Sequence, residues 1–227
     1  MKGILKKIKY PKFNTNLAYL CGILAGDGYI GIREHKYEYV VNCGGNPKDE
    51  KEFYDKVIAP LFLKLFSIKV NPKLLGGGTY GFNIWSKNLV KFLINEVGLP
   101  RSPKTNLSFP KIFYENNRLA LHFIRGVADT DFSFKLKQRN YPVISGSSKS
   151  KRFMQDISTI LKENGFKVVN CFDYKVNDKR LKKGYNIINR IELNGHKQFS
   201  KWINVIGTRQ PKNRKKIQLW ENNRSKK

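Results

Sequence analysis

The chain has 227 residues, 44 Lys+Arg against 17 Asp+Glu, and a formal net charge of +27 at pH 7, a surplus that fits a polyanionic partner such as nucleic acid. Apolar residues make up 40% and aromatics 13%, which supports a folded core, and the basic residues run through the whole chain instead of gathering in tails as they would in a ribosomal protein. No apolar run reaches membrane-spanning length, lysines break any signal peptide, and Cys21, Cys43 and Cys171 are spaced for neither a disulfide framework nor a structural zinc; an intracellular, reducing setting (cytoplasm or an organelle matrix) is expected.

After a basic extension over residues 1–13, residues 15–27 read as a helix with Asn14 or Thr15 as N-cap. Tyr29–Arg33 and Tyr37–Cys43 alternate as a hairpin. Asp49–Phe66 carries apolar residues at 53, 57, 58, 61, 62 and 65, the stripe of a helix. Ile68–Leu75 and Thr79–Trp85 form a second hairpin around Gly76-Gly77-Gly78, and Lys87–Val97 is a closing helix. A Pro-rich linker, Gly98–Pro110, follows. The order then returns as 117–131, 132–139, 141–147, 149–165, 167–176, 184–194 and 196–206, so each half is α-β-β-α-β-β-α and the class is α+β. The expected organisation is a first half over 14–98, a linker over 99–116, a second half over 117–217 and a basic tail over 218–227.

The two halves repeat each other in sequence. Leu20-Cys21-Gly22-Ile23-Leu24-Ala25-Gly26-Asp27-Gly28 recurs as Ile124-Arg125-Gly126-Val127-Ala128-Asp129-Thr130-Asp131-Phe132, with 126 − 22 and 131 − 27 both giving an offset of 104. Phe53–Leu61 is echoed by Phe153–Leu161, Ile94–Gly98 by Ile203–Gly207, and Pro103-Lys104 by Pro211-Lys212. Similar segments in the same order, at drifting offsets, mean duplication. Gly22/Gly26 and Gly126/Thr130 are small residues four apart, which let two helix backbones approach closely. Such packing brings Asp27 and Asp131 together at the helix ends, a carboxylate pair suited to a metal and a phosphate. Asp129 faces Ala25 in the repeat and reads as structural.

Two such halves, each opened by an acid-terminated small-residue helix, resemble the LAGLIDADG homing endonucleases of the single-chain, two-motif type, over roughly residues 14–217. Arg125 stands where that pattern has a small residue, and Phe132 where it has Gly. The resemblance implies two curved four-stranded antiparallel sheets forming a saddle on double-stranded DNA, with the motif helices at the interface. It makes Asp27 and Asp131 the catalytic, metal-holding pair, with the carbonyls of Gly26 and Thr130 as further ligands. Mg²⁺ is the implied metal, Mn²⁺ substituting and Ca²⁺ binding without cleavage; hard cations take oxygen ligands, and no Cys or His cluster points to a softer one. It also implies a lysine near the cut from the loop after each half's last helix: Lys104 in the first, and one of Lys212, Lys215 and Lys216 in the second, with Lys216 as the expected one. The implied activity is that of a monomer cutting a long asymmetric site and leaving 3′ overhangs. A chain running from Met1 to Arg224-Ser225-Lys226-Lys227, without a terminal His-Asn, is expected to be free-standing and intron-encoded.

Alternation sorts the DNA-facing residues. Phe132, Phe134 and Leu136 point to the helices, while Ser133, Lys135, Lys137 and Arg139 point outward. Ile30 and Ile32 point inward, with Tyr29, Gly31, Arg33 and His35 outward. Lys179, Arg180, Lys182 and Lys183 crowd one loop, and Arg190 alternates with Ile191; Arg33, Arg139 and Arg190 are the expected guanine readers. A maturase that binds intron RNA and a non-cleaving DNA-binding regulator are the rivals on the same fold, and acids in both motifs favour the nuclease. Tyr29-Ile30-Gly31 resembles half of a GIY-YIG signature without its partner, Asp49-Glu50-Lys51 opens a helix where a PD-(D/E)xK site needs a strand, and His35, His122 and His196 are scattered.

Overall fold

The computed structural model describes residues 8–104 and 106–225. Residues 1–7 of the basic extension, Thr105, Lys226 and Lys227 lie outside the described residues, as does the side chain of Arg139.

The side-chain oxygen of Asn14 accepts from the backbone N–H groups of Asn16 and Leu17 at 3.0 and 3.1 Å, opening helix α1 (Thr15–Gly26). Every residue from Leu17 to Ala25 is buried, as expected of a helix apolar on all sides. Its partner is α6 (Asn117–Asp131), capped by Asn116, whose oxygen accepts from Leu119 N–H at 3.1 Å. These two helices form the centre of the molecule.

A sheet flanks each of them. β1 (Gly28–Arg33), β2 (Glu38–Gly45), β3 (Lys73–Leu74) and β4 (Tyr80–Trp85) pair antiparallel in the order β1-β2-β4-β3. β5 (Phe132–Lys137), β6 (Tyr141–Ser148), β7 (Val169–Asn177) and β8 (Tyr185–Asn194) pair antiparallel in the order β5-β6-β8-β7. One order occurring twice is the structural form of the duplication. The inward rows are apolar in both: Ile30, Val41 and Ile84 are neighbours across three strands of the first sheet, and Phe134, Ile144 and Leu193 across three of the second, all buried.

The remaining helices cover those faces. α2 (Pro47–Phe53) and α3 (Ala59–Phe66) are joined by a π-helical turn, Tyr54–Ile58, which takes up the N–H missing at Pro60 without breaking the run. α4 (Lys87–Lys91) continues as a π-turn over Phe92–Glu96. α7 (Lys151–Glu163) and α8 (His196–Val205) are the counterparts in the second half.

Three segments differ from the sequence-based expectation. The strand expected over Ile68–Leu75 shrinks to Lys73–Leu74, because Pro72 offers no donor and Ile68 and Val70 turn into the core. The linker contains a short helix, α5 (Lys111–Tyr114), whose Phe113 is buried. The segment from residue 218, expected as a tail, is helical to Ser225 as part of α9 (Pro211–Ser225). Trp220 holds it down: its ring packs 4.9 Å from that of Phe199, and its Nε1 donates to His196 Nδ1 at 3.0 Å. Among the described residues no helix is long and apolar enough to cross a membrane.

Candidate active site

Helices α1 and α6 touch backbone to backbone. A Cβ added at Gly22 would stand 2.1 Å from the carbonyl oxygen of Phe123, and one at Gly126 would stand 2.1 Å from that of Tyr19 and 2.9 Å from Gly22 Cα. One turn on, a Cβ at Gly26 would meet Thr130 Oγ1 at 2.1 Å and Asp131 Oδ2 at 3.2 Å. Thr130 folds its hydroxyl back, donating to Val127 O at 3.0 Å. The small residues therefore set the helix spacing, and the spacing sets where the acids meet. Asp27 caps α1, its N–H donating to Ile23 O at 3.0 Å, and Asp131 is the last residue of α6.

Desolvation by the packed helix ends is the largest influence on both carboxyls, although Asp27 is only half-buried and Asp131 is exposed on one side. It pushes Asp27 up to about 7, helped by repulsion from Asp131 and Glu50 and opposed by the ammonium groups of Lys104 and Lys212. Asp131 is pushed up to about 6 by the same desolvation, with Lys104 opposing. Two crowded, partly desolvated carboxylates that resist ionising together fit a divalent cation, which supplies the charge they lack. Among the described residues no set of three or more His, Cys, Asp or Glu gathers around a metal position. The donor set is thus two carboxylates and nearby carbonyls, suited to a hard cation shared with substrate phosphates, as Mg²⁺ is held.

A carboxyl that holds its proton more tightly folded than unfolded costs nothing below the unfolded value near 4, and costs stability once ionised in the fold. With folded values of about 7 and about 6, the cost grows as pH rises from 4 to 7 and persists above. Thermal melts should show the parent losing Tm between pH 5 and 8 more steeply than Asp27→Asn, and Mg²⁺ should raise the parent's Tm more at pH 8 than at pH 5. A parent melt indifferent to Mg²⁺ at pH 8 would count against this pair as the metal site.

Lys104 arrives from the segment after α4. Ser102 docks on β1, its N–H donating to Ile30 O at 2.9 Å while its Oγ accepts from Ile30 N–H at 3.2 Å. The ammonium of Lys104 then donates to the carbonyls at the end of α1, to Ala25 O at 2.8 Å and to Gly26 O. The helix C-terminus favours a cation there. The Gly26 carbonyl, expected as a metal ligand, accepts this ammonium; burial lowers the pKa of Lys104 while Asp131 and Asp27 support its charge.

The second half presents its lysine by a different anchor. Buried Asp129 accepts from Tyr19 Oη at 2.7 Å, from Arg209 N–H at 2.8 Å and from the Thr208 hydroxyl. These bonds tie the loop before α9 to both central helices, a structural task matching the reading of Asp129. Arg209 lies 4.7 Å from the centre of the Tyr19 ring and donates to Asn16 Oδ1 at 3.2 Å. α9 then starts at Pro211, and Lys212 pairs with buried Glu50 of α2, whose other oxygen accepts from Asn46 N–H at 2.9 Å. Lys216 sits one turn further along α9, where partial burial and the neighbouring Lys212 lower its pKa. The charge of Lys212 bears on Asp27, lowering its pKa.

The expected DNA-facing side chains are spread over the outer surface. Tyr29, Arg33, His35, Lys135, Lys137, Lys179, Arg180 and Lys182 are exposed, and Ser133 is half-buried. Arg33 pairs with Glu38 at 3.2 Å, and Arg180 grips Asp178 through two bonds of 2.8 Å. Arg190 lies 3.5 Å from Glu192 and over the ring of Tyr174. Burial and the neighbouring Arg125, Arg209 and Arg118 push His122 down to about 4, so it stays neutral in the fold.

Solved structures share this architecture. The crystal structure of I-DmoI in complex with DNA and Ca matches with a TM-score of 0.58 at 20% identity, over 85% of this chain and 88% of that one. The homing endonuclease I-WcaI bound to its DNA recognition sequence matches with a TM-score of 0.50 at 11% identity, over 87% and 83%. The N-terminal LAGLIDADG domain of DUF199/WhiA matches with a TM-score of 0.51 at 8% identity, over 86% and 82%. The chain thus has the two-sheet LAGLIDADG fold. It matches no protein-family model, and no curated protein is similar to it.

Proposed function

We propose that the chain is a monomeric, site-specific double-strand DNA endonuclease using a divalent cation at Asp27 and Asp131. The observation that carries this reading is the carboxylate pair, both pKa values raised, at the abutting ends of two duplicated helices, in a protein of net charge +27. The solved I-DmoI and I-WcaI complexes, which contain DNA, agree with it. The cation, when bound, would supply Lewis-acid activation and offset charge developing on the phosphate.

The chain's own residues do the rest. Asp27 and Asp131 fix the cation position through the glycine-set helix contact. Lys104, held at the end of α1, places a positive charge beside the scissile phosphate, where it offsets the developing negative charge. Lys212, steered by Glu50, takes the corresponding place in the second half. The two sheets lie along the duplex and their lysines and arginines neutralise phosphates, so binding should weaken steeply with salt. We infer further that Mg²⁺ is the working ion, that cleavage leaves 3′ overhangs, and that the protein is intron-encoded and works inside the cell.

The test is a cleavage screen of a randomised duplex library with Mg²⁺ and a Ca²⁺ control. One enriched long site, cut with Mg²⁺ only, is the expected result. No cleavage, with tight binding to intron RNA or to one uncut DNA site, would replace this reading with the maturase or the regulator.

A further inference from the structure

The outward faces of the two sheets differ in chemistry. On the first sheet, Gly31, Val40 and Trp85 are cross-strand neighbours in one outward row, and Tyr29, Asn42 and Asn83 in the next. The ring of Tyr29 folds over Gly31: a Cβ there would stand 2.6 Å from Tyr29 Cε1 and 3.0 Å from Val40 Cγ1. Trp85 is 48% exposed and Tyr29 44%, so the result is an open apolar strip across three strands. Beside it, Asn42 Nδ2 donates to Asn83 Oδ1 at 2.5 Å. That bond locks the two amides together and leaves Asn42 Oδ1 and Asn83 Nδ2 to bond outward, an acceptor beside a donor. Arg33 stands at the far end of this hairpin, paired with Glu38.

Where the first sheet has Tyr29 and Gly31 on β1, the second has Ser133 and Lys135 on β5, the row of Lys135 continuing through Val143 and Asn194. Ser133, Ser145 and Glu192 form one outward row; Lys135 lies in the next, and Lys137 faces Tyr141 at the end of the sheet. Arg190 stands opposite Ser147 and Cys171, its guanidinium braced by Glu192 and the ring of Tyr174.

In the major groove these chemistries read different bases. Apolar side chains contact the thymine methyl, an asparagine amide pairs with adenine N6 and N7, and arginine or lysine pairs with guanine O6 and N7. Phosphate contacts carry no sequence information. We infer that the first sheet reads an A·T-rich arm of the target, with Asn42 and Asn83 selecting adenine and Val40, Trp85 and Tyr29 packing on thymine methyls, while the second sheet reads an arm containing guanine. The inference rests on the double-strand DNA reading above and extends it to the base composition of each arm.

The experiment is selection of bound duplexes from a randomised library by the full chain in Ca²⁺, repeated with Asn83→Ala and with Arg190→Ala. Asn83 is exposed, and an unchanged melt for Asn83→Ala would show that its fold is intact. The parent should recover sites with one A·T-rich arm. Asn83→Ala should lower the preference for adenine at one position of that arm about tenfold and leave the other arm alone. Arg190→Ala should relax guanine in the opposite arm only. Sites rich in G·C in both arms, or an Asn83→Ala selection identical to the parent's, would overturn the inference and leave the endonuclease reading standing. Recovery of no preferred duplex by the parent would overturn both.

Discussion

Asp27→Asn and Asp131→Asn should each slow cleavage of the cognate duplex by on the order of 10³-fold while leaving its binding in Ca²⁺ unchanged or tighter. Asparagine keeps the shape of the side chain but cannot supply the charge that holds a divalent cation. It also removes a negative charge aimed at phosphate, which is why binding should not suffer. The melt separates this from misfolding. Asp27 is held at about 7 by burial and by repulsion from Asp131 and Glu50, so an uncharged amide there relieves a native cost, and the variant's Tm at pH 8 should exceed the parent's. Lost cleavage, kept binding and raised Tm form a combination that general damage cannot give. Parental cleavage by either variant would remove the pair from the active site.

The sequence announces what repeats and hides what does not. The small-residue spacing and terminal acids of α1 and α6 were legible because both copies obey one packing rule. The departures at Arg125 and Phe132 have causes that lie far along the chain. Arg125 donates through its Nε to Ile206 O, at the end of α8, so the larger side chain at that repeat position serves a different contact. Phe132 enters β5 directly, with its ring where a Cβ on its cross-strand partner Gly146 would lie, 2.1 Å from Cε1. In the first half the roles are reversed: Gly28 pairs with Cys43, and a Cβ at Gly28 would meet Leu24 O at 2.4 Å. Each half keeps one glycine at this corner, on opposite strands, and only the strand register reveals the exchange.

The ion pair at Glu50 is hidden from the sequence for a similar reason. In sequence it is an acid in the first turn of a basic-flanked helix, the ordinary complement to a helix dipole. In the fold it is buried, with Gly45 leaving room for its carboxylate, and it holds Lys212 from 162 residues away. Counted from its cap Ser150, the same place in α7 is Met154, also buried but uncharged. The two lysines therefore sit in unlike surroundings, Lys104 against helix carbonyls and Lys212 against a carboxylate. A duplicated scaffold has become an asymmetric site, which suits an asymmetric target.

Gly126→Ala should be strongly destabilising for a change of one methyl group. The added carbon would lie 2.1 Å from Tyr19 O and 2.8 Å from Ile23 N, both backbone atoms of a fully buried helix. Neither can rotate aside, so the helices must separate along their length. Overpacking a tight core costs up to about 3 kcal/mol, and Gly126→Ala belongs at that end or beyond. In a chain of this size that corresponds to a fall in Tm of roughly 6–12 °C. Gly22→Ala, facing Phe123 O at 2.1 Å, should cost a similar amount, whereas Gly76→Ala, with nothing within 4 Å, should be neutral or slightly stabilising. Protein that stays folded with Gly126→Ala should still bind DNA, because the sheets are unaltered. It should cut more slowly, because spreading the helices moves Asp27 away from Asp131. If Gly126→Ala melted like Gly76→Ala and cut like the parent, close helix contact would not be what brings the two carboxylates together.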